Sequence, residues 1–469
     1  MSGAILPQDH PSMLPFIHDA GDGFTETTGL ISCGVDAVFT PSIQGPQARY
    51  PLTSSAFRRE LPKGWVPADF NFLNPESSIY YLPTPMYSAG VAYSPDPDCI
   101  FAAQQKREAR FVIGDSGGFQ FISGSFDLAG EPDGPEKISQ WQSDVGVDVA
   151  MPLDVPTAMI GMKEHPNINT LRDCLTPSVS YLKKFLACDS ELPLFNILHG
   201  HTRSDQETWY QAMRSFMRKR PDRMQGWAFP STPAGAYHCD WGNVLFRICR
   251  IIQDGLIGNN PDTGVCVRYL HFLGTGTPKS AAILSILSEQ LNGYLLRQGL
   301  LSKPTKRVSQ KRPQSVVVSF DTSTPYTMAT RRFEYIASPE LDLMRMTVKT
   351  NTLPTRKEDG FVGSTEPATE LAFSPIGAGL RWGDIIVKRD DDRNQRDAIS
   401  ELIIAAHNTY SLFCLMEQAK ELVNFKRSIA AYHVPSDLLD TVDIIFEIFG
   451  HDDPMEIFKQ QEQHLGVIK

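Results

Sequence analysis

Paired cysteines are missing from this 469-residue chain: its eight cysteines stand singly, with no C-x-x-C anywhere. That excludes a disulfide framework and a cysteine-built zinc site as organising features, and it suits a reducing cytoplasm. No apolar run approaches the ~20 residues of a membrane span, and the start of the chain lacks a basic stretch followed by an apolar one. The expectation is a soluble, cytoplasmic protein without a membrane partner. Basic residues are outnumbered, 44 Lys and Arg against 54 Asp and Glu, for a formal net charge of -10. A basic coat for nucleic acid is thereby excluded, although a local basic groove is not. No sequence repeat of solenoid length is found either. What remains is an ordinary globular composition, 41% hydrophobic and 21% charged. At about 150 residues per domain, the length admits two or three domains, or one large barrel with an appendage.

The middle of the chain repeats a pattern rather than a sequence. Short apolar runs end on glycine or polar residues: 111–113 into Gly114-Asp115, 147–153 into Asp154, 192–198 into His199-Gly200, and 226–229 into Pro230-Ser231. Two more are 267–273 into Gly274-Thr275-Gly276 and 316–320 into Asp321. Runs rich in Val, Ile and Phe, without clear alternation, suit strands buried on both faces, which belong to parallel sheets. Between them lie helical spacings. One opens on Ser204-Asp205-Gln206-Glu207, read as a capping box, and places Trp209, Met213, Phe216 and Met217 on one face. Another covers 279–299. Six such strands, with room for two before Phe111, predict a (β/α)8 TIM barrel, with an open doubly wound sheet as the alternative. Functional-looking residues end nearly every strand, and a barrel gathers those ends on one face.

The boundary is placed near 345: a barrel with an irregular N-terminal segment over 1–345, and a mainly helical appendage over 346–469. Residues 346–397 lack periodicity, and helices are predicted over 397–427 and 438–449. The first ~80 residues, rich in Pro, Gly and Ser, yield no assignment.

The densest chemical signal is Gly114-Asp115-Ser116-Gly117-Gly118-Phe119-Gln120. Its two adjacent glycines let backbone approach a flat ligand, Asp115 and Gln120 offer hydrogen bonds, and Phe119 offers a stacking face. A plain strand-to-loop turn is the alternative; a serine nucleophile on a tight turn is the less favoured reading, although Gly114-Asp115-Ser116-Gly117-Gly118 does spell G-x-S-x-G. Asp115, Asp154 and Asp321 all end strands, so a barrel would aim them at one pocket. Two close carboxylates are what displacement at a sugar carbon requires, one attacking and one handling protons. Each could instead cap the helix that follows it.

Taken in order, these residues resemble the tRNA-guanine transglycosylases, which exchange guanine for a 7-deazaguanine on a zinc-bearing (β/α)8 barrel. Asp115-Ser116-Gly117-Gly118-Phe119-Gln120 is similar to the family signature, and Ala150-Met151-Pro152-Leu153-Asp154 to its strand ending in a base-reading Asp. His199-Gly200 stands where the family has Gln-Gly. Arg268-Tyr269-Leu270 with Gly274 resembles its R-Y-L-x-x-x-G strand, and Phe320-Asp321 its F-D. An echo follows at Ala406-His407-Asn408 to Met416. The resemblance implies Asp321 as the nucleophile at C1′ and Asp115 as the general acid/base. It implies Asp154 reading the amino edge of the base, Phe119 stacking on one face, and His271 lining the other. Ser116, Gly117, Gly118, Gln120, His199 and Gly200 complete the implied base site.

Departures from the family bear on the substrate. The family holds zinc with three cysteines and a histidine; His407 resembles that histidine, yet no cysteine lies between Cys266 and Cys414, so no metal is expected. Thr322-Ser323-Thr324-Pro325-Tyr326 follows the nucleophile where the family has Leu-Pro-Thr-Arg. A Leu353-Pro354-Thr355-Arg356 further on is either that motif pushed outward by an insertion or a chance tetrapeptide. These segments would hold a tRNA anticodon loop, and the pattern is most similar to the DNA-guanine transglycosylases. DNA and a free 7-deazaguanine base are therefore the expected partners, without a cofactor, with Arg331 and Arg332 as candidate phosphate contacts. The alternatives are a zinc-less tRNA enzyme, a non-catalytic nucleic-acid-binding subunit, and a phosphate-binding metabolic barrel using Gly274-Thr275-Gly276-Thr277. The cluster Lys303, Lys306, Arg307, Lys311 and Arg312 precedes a strand and is read as a solvated loop on the far face.

Overall fold

A computed structural model describes residues 37–43, 59–70, 77, 79, 84–93, 111–118, 120, 131–230, 240–301, 315–353, 361–388, 394–395, 397–424 and 434–465. Eight strands close into an all-parallel barrel in sequential order. They are β1 (Val38–Ile43), β2 (Met86–Ser88), β3 (Ile113–Asp115), β4 (Val149–Ala150), β5 (Leu194–Ile197), β6 (Met224–Pro230), β7 (Tyr269–Leu273) and β8 (Val317–Thr322). Pairing of β1 with β8, Thr40 opposite Asp321, completes the closure and excludes the open sheet.

The runs show no alternation because both faces of each strand are buried, in two separate places. Inside the barrel, Met86, Ile113, Val149, Met151, Phe195, Ile197 and Ala228 pack together, with Phe111, Tyr269 and Leu273 against them. The intervening residues, such as Trp227, Phe229, Leu270, Phe272, Val318 and Phe320, face outward into the shell under the helices. Each such side chain removed from water contributes about 1.5–3 kcal/mol. Gly226 points inward, where a β-carbon would come within 2.5 Å of the Phe195 ring. A large residue from β5 thus fills the barrel because β6 supplies none at that level.

Among the described residues the long helices of the barrel are α1 (Gly134–Val145), α2 (Leu171–Ala187), α3 (Arg203–Lys219), α4 (Trp241–Gln253) and α5 (Pro278–Arg297). The cap of α3 lies two residues before the expected one. Thr202 accepts from the Asp205 amide at 3.1 Å and Asp205 accepts from the Thr202 amide at 3.2 Å. Thr202-x-x-Asp205 satisfies the same rule as Ser204-x-x-Glu207, and Glu207 instead pairs with Arg250 of α4 at 3.2 Å.

Among the described residues three long helices follow: α6 (Ala398–Asn424), α7 (Ser436–Gly450) and α8 (Pro454–Leu465), the last not anticipated from the sequence. α5 packs against both α6 and α7, and α8 lies on α4. One apolar cluster runs from the barrel's outer shell through Ile403, Leu415, Ile445 and Phe449. α6 is long and apolar enough to cross a membrane, but 89% of its apolar window is buried inside the fold. Its length and polarity are those of a core helix. Residue 345 falls within a hairpin that pairs Glu334–Ile336 with Thr350–Thr352.

Candidate active site

Because parallel neighbours in register face the same way, the inward residues at the carboxyl ends of the strands form a polar layer above the apolar filling. β8 contributes Ser319 and Asp321, β7 His271, β1 Thr40, β2 Ser88 and β3 Asp115. The Asp321 carboxylate is buried; the Gly274 amide donates to its Oδ1 at 2.8 Å, and His271 Nε2 lies 3.3 Å from the same oxygen. His271 Nδ1 lies 2.9 Å from Ser319 Oγ. The loop after β7 reaches this carboxylate because Gly274 has φ 66° and because Gly276 leaves room for Thr322, whose Cβ is 2.1 Å from where a side chain would begin. The Gly274 amide is thus taken by the Asp321 side chain, whereas the phosphate-barrel alternative would have it face a bound phosphate.

Asp115 faces two other carboxylates. Burial, first, and the nearby charges of Asp154 and Asp321 push its pKa up to about 6, against opposing hydrogen bonds from Ser88 and the Gly117 amide. The Ser88 hydroxyl stands between Asp115 and Gln120, 3.3 Å from the Gln120 amide oxygen. A carboxyl group that changes protonation near neutrality is fit to give and take a proton. The adjacent Ser116 hydroxyl is buried and has no hydrogen-bond partner among the described residues. A buried polar group left so costs about 1–3 kcal/mol, which a bound ligand would recover.

Asp154 leaves β4 and meets His199 from the end of β5, with His199 Nε2 2.5 Å from Asp154 Oδ2. The imidazole rests edge-on against Trp209, centroids 4.8 Å apart. Gly200 follows at φ 135°, and a side chain there would strike the Gln206 backbone at 2.6 Å. Arg247 closes the turn from beneath, donating to the Leu198 carbonyl at 2.6 Å. With Oδ2 held, Asp154 Oδ1 lies against Gly118, where a β-carbon would approach to 3.0 Å. The Gly117-Gly118 backbone therefore approaches the carboxylate as closely as its lack of side chains permits.

Set against known sequences, the chain matches no family model and no curated protein.

The structure brings together Asp115, Asp154, Asp321, Ser116, Gly117, Gly118, Gln120, His199, Gly200 and His271. Phe119, most of the Leu353 to Arg356 tetrapeptide and the Lys303 to Arg312 cluster lie outside the described residues. His271 has no exposed surface and turns its nitrogens to Ser319 and Asp321, so in this state it offers no open face to a base. Arg331 and Arg332 are exposed on a short π-helical turn (Met328–Arg332) that packs on α6, followed by Phe333 at φ 62°. Three contributors to this layer were not singled out from sequence: Ser319, Ser88 and Thr40. Ser319 could have been, since it lies two residues before Asp321 on one strand face. Ser88 and Thr40 belong to strands of three and six residues in the stretch before Phe111. Gly274 was named from its motifs, but the donation of its amide to Asp321 carries no side-chain signal.

His407 is engaged on both sides: Nδ1 is 2.7 Å from Ser374 Oγ and Nε2 is 2.8 Å from the Ile336 carbonyl. Burial lowers its pKa to about 4. Neither nitrogen is available to a metal, and among the described residues no three His, Cys, Asp or Glu side chains are grouped to hold one. The residues present do not fit the zinc of the resembled family. Asn408 next to it accepts from the Ile336 amide at 2.9 Å and donates to the Glu334 and Pro325 carbonyls at 3.1 and 3.3 Å.

Proposed function

We propose that this protein is a guanine transglycosylase that exchanges guanine in DNA for a 7-deazaguanine base, through a covalent glycosyl-aspartate. The observation that carries the reading is the pairing of two unlike carboxyl groups at one barrel mouth. Asp321 is held by donors to one oxygen, and Asp115 has a pKa raised to about 6. One carboxyl fixed by hydrogen bonds and another raised by burial suit separate roles as nucleophile and acid/base.

In the first displacement, Asp321 attacks C1′ as the bond from C1′ to N9 breaks, and protonated Asp115 gives its proton to the departing guanine. In the second, ionised Asp115 takes the N9 proton of the incoming base, N9 attacks C1′, and Asp321 leaves as a carboxylate. Asp154 Oδ1 accepts hydrogen bonds from the amino edge of the base, and the buried Ser116 hydroxyl supplies a further polar contact. DNA is favoured over tRNA because the segments following the nucleophile depart from the tRNA family, and because His407 is consumed by hydrogen bonds. A duplex base must leave the stack before C1′ can be reached, at a cost of a few kcal/mol, so a flipped or single-stranded nucleotide is the substrate. Incubation of the protein with labelled 7-cyano-7-deazaguanine and either DNA or tRNA tests the reading. Label in DNA supports it, and label in tRNA alone would replace DNA by tRNA.

A further inference from the structure

The donors around Asp321 are unevenly shared. The Gly274 amide and His271 Nε2 both address Oδ1, while Oδ2 accepts no hydrogen bond from the described residues. His271 cannot easily turn away, because it is fully buried with the Phe195 ring 5.8 Å from its own. Its other nitrogen is 2.9 Å from Ser319 Oγ, whereas that hydroxyl's second neighbour, the Leu270 carbonyl, is at 3.4 Å. With Ser319 donating to Nδ1, the ring proton sits on Nε2 and points at Asp321.

On the transglycosylase reading above, we propose that His271 is a positioning residue that fixes Oδ2 as the attacking oxygen and favours departure of Asp321 in the second displacement. When the bond from Oδ2 to C1′ forms, the carboxylate charge disappears into an ester and Oδ1 becomes its carbonyl oxygen. The electrons of the broken glycosidic bond go to N9, which takes the Asp115 proton. Hydrogen bonds to a charged acceptor are stronger than those to a neutral one, so the two donors stabilise the carboxylate more than the ester. They restrain the first displacement slightly. They assist the second, in which the bond from C1′ to Oδ2 breaks and its electrons return to the carboxylate.

The test separates the two displacements. Excess protein is reacted with a labelled DNA strand, the denaturant-resistant protein–DNA adduct is isolated in time, and 7-cyano-7-deazaguanine is added as a chase. His271→Met, which keeps bulk and loses the N–H, should slow adduct decay by ~10-fold while changing the first release of guanine by less than ~3-fold. His271→Gln, which retains an N–H donor, should recover most of the decay rate, and Ser319→Ala should fall between. Circular dichroism checks that each variant is folded; if His271→Met is not, the order of wild type, His271→Gln and Ser319→Ala decides. Adduct decay at the wild-type rate in the folded variants overturns the role of His271 and leaves the transglycosylase reading intact. Neither adduct nor exchange from wild-type protein, with DNA or tRNA, overturns that reading and this inference together.

Discussion

Asp115 is maintained at a cost to the fold, because its carboxyl is pushed up to about 6 chiefly by burial. A carboxyl raised in the folded state binds more protons there than in the unfolded chain, so its stabilising contribution is present at low pH and lost as pH rises through about 6. Asp115→Asn, neutral at every pH, should therefore unfold at a higher temperature than wild type at pH 8, by up to about 3 kcal/mol in stability, and lose that advantage near pH 4. Thermal melts at the two pH values check this; a variant less stable at pH 8 would show that the site accommodates the charge. The same variant should be inactive in base exchange. The three aspartates were legible because an acid closing an apolar run is visible in one dimension. The contacts that differentiate them were not: the His199 imidazole on Asp154 and the His271 imidazole on Asp321 join residues 45 and 50 positions apart.

Among elements, the late strands could be read because apolar filling on both faces leaves an unbroken run. β1 and β2 could not, being six and three residues long in a stretch rich in turn-forming residues. The α3 cap was displaced because two overlapping stretches satisfy the same rule, and only hydrogen-bond geometry chooses Thr202. The excursion between β8 and α6 has little periodicity because His407 and Asn408 bind its backbone, and such ties do not repeat along a sequence. His407→Ala strips a partner from Ser374 and from the Ile336 carbonyl in a buried place and should cost about 3 kcal/mol. Denaturant melts measure it, and added zinc or chelator should leave wild-type and variant midpoints unchanged. A midpoint that falls on chelation would show that a metal, not this pair of residues, ties the segment to α6.

At the scale of the molecule, an acidic protein that binds a polyanion must do so through a local basic surface. The exposed turn bearing Arg331 and Arg332 follows β8, the strand that ends on Asp321 and Thr322. Replacing both with Ala should weaken DNA binding across all sequences and reduce its salt dependence, by about two units of the logarithmic slope if each contacts one phosphate. Fluorescence anisotropy at several salt concentrations checks this, and an unchanged slope would move the phosphate contacts elsewhere. The central claim is displacement at C1′ by Asp321, and transfer of labelled guanine into DNA by wild type and Asp321→Asn tests it most directly. The account predicts label in DNA with wild type and none with a folded Asp321→Asn; undiminished transfer by the variant would contradict it.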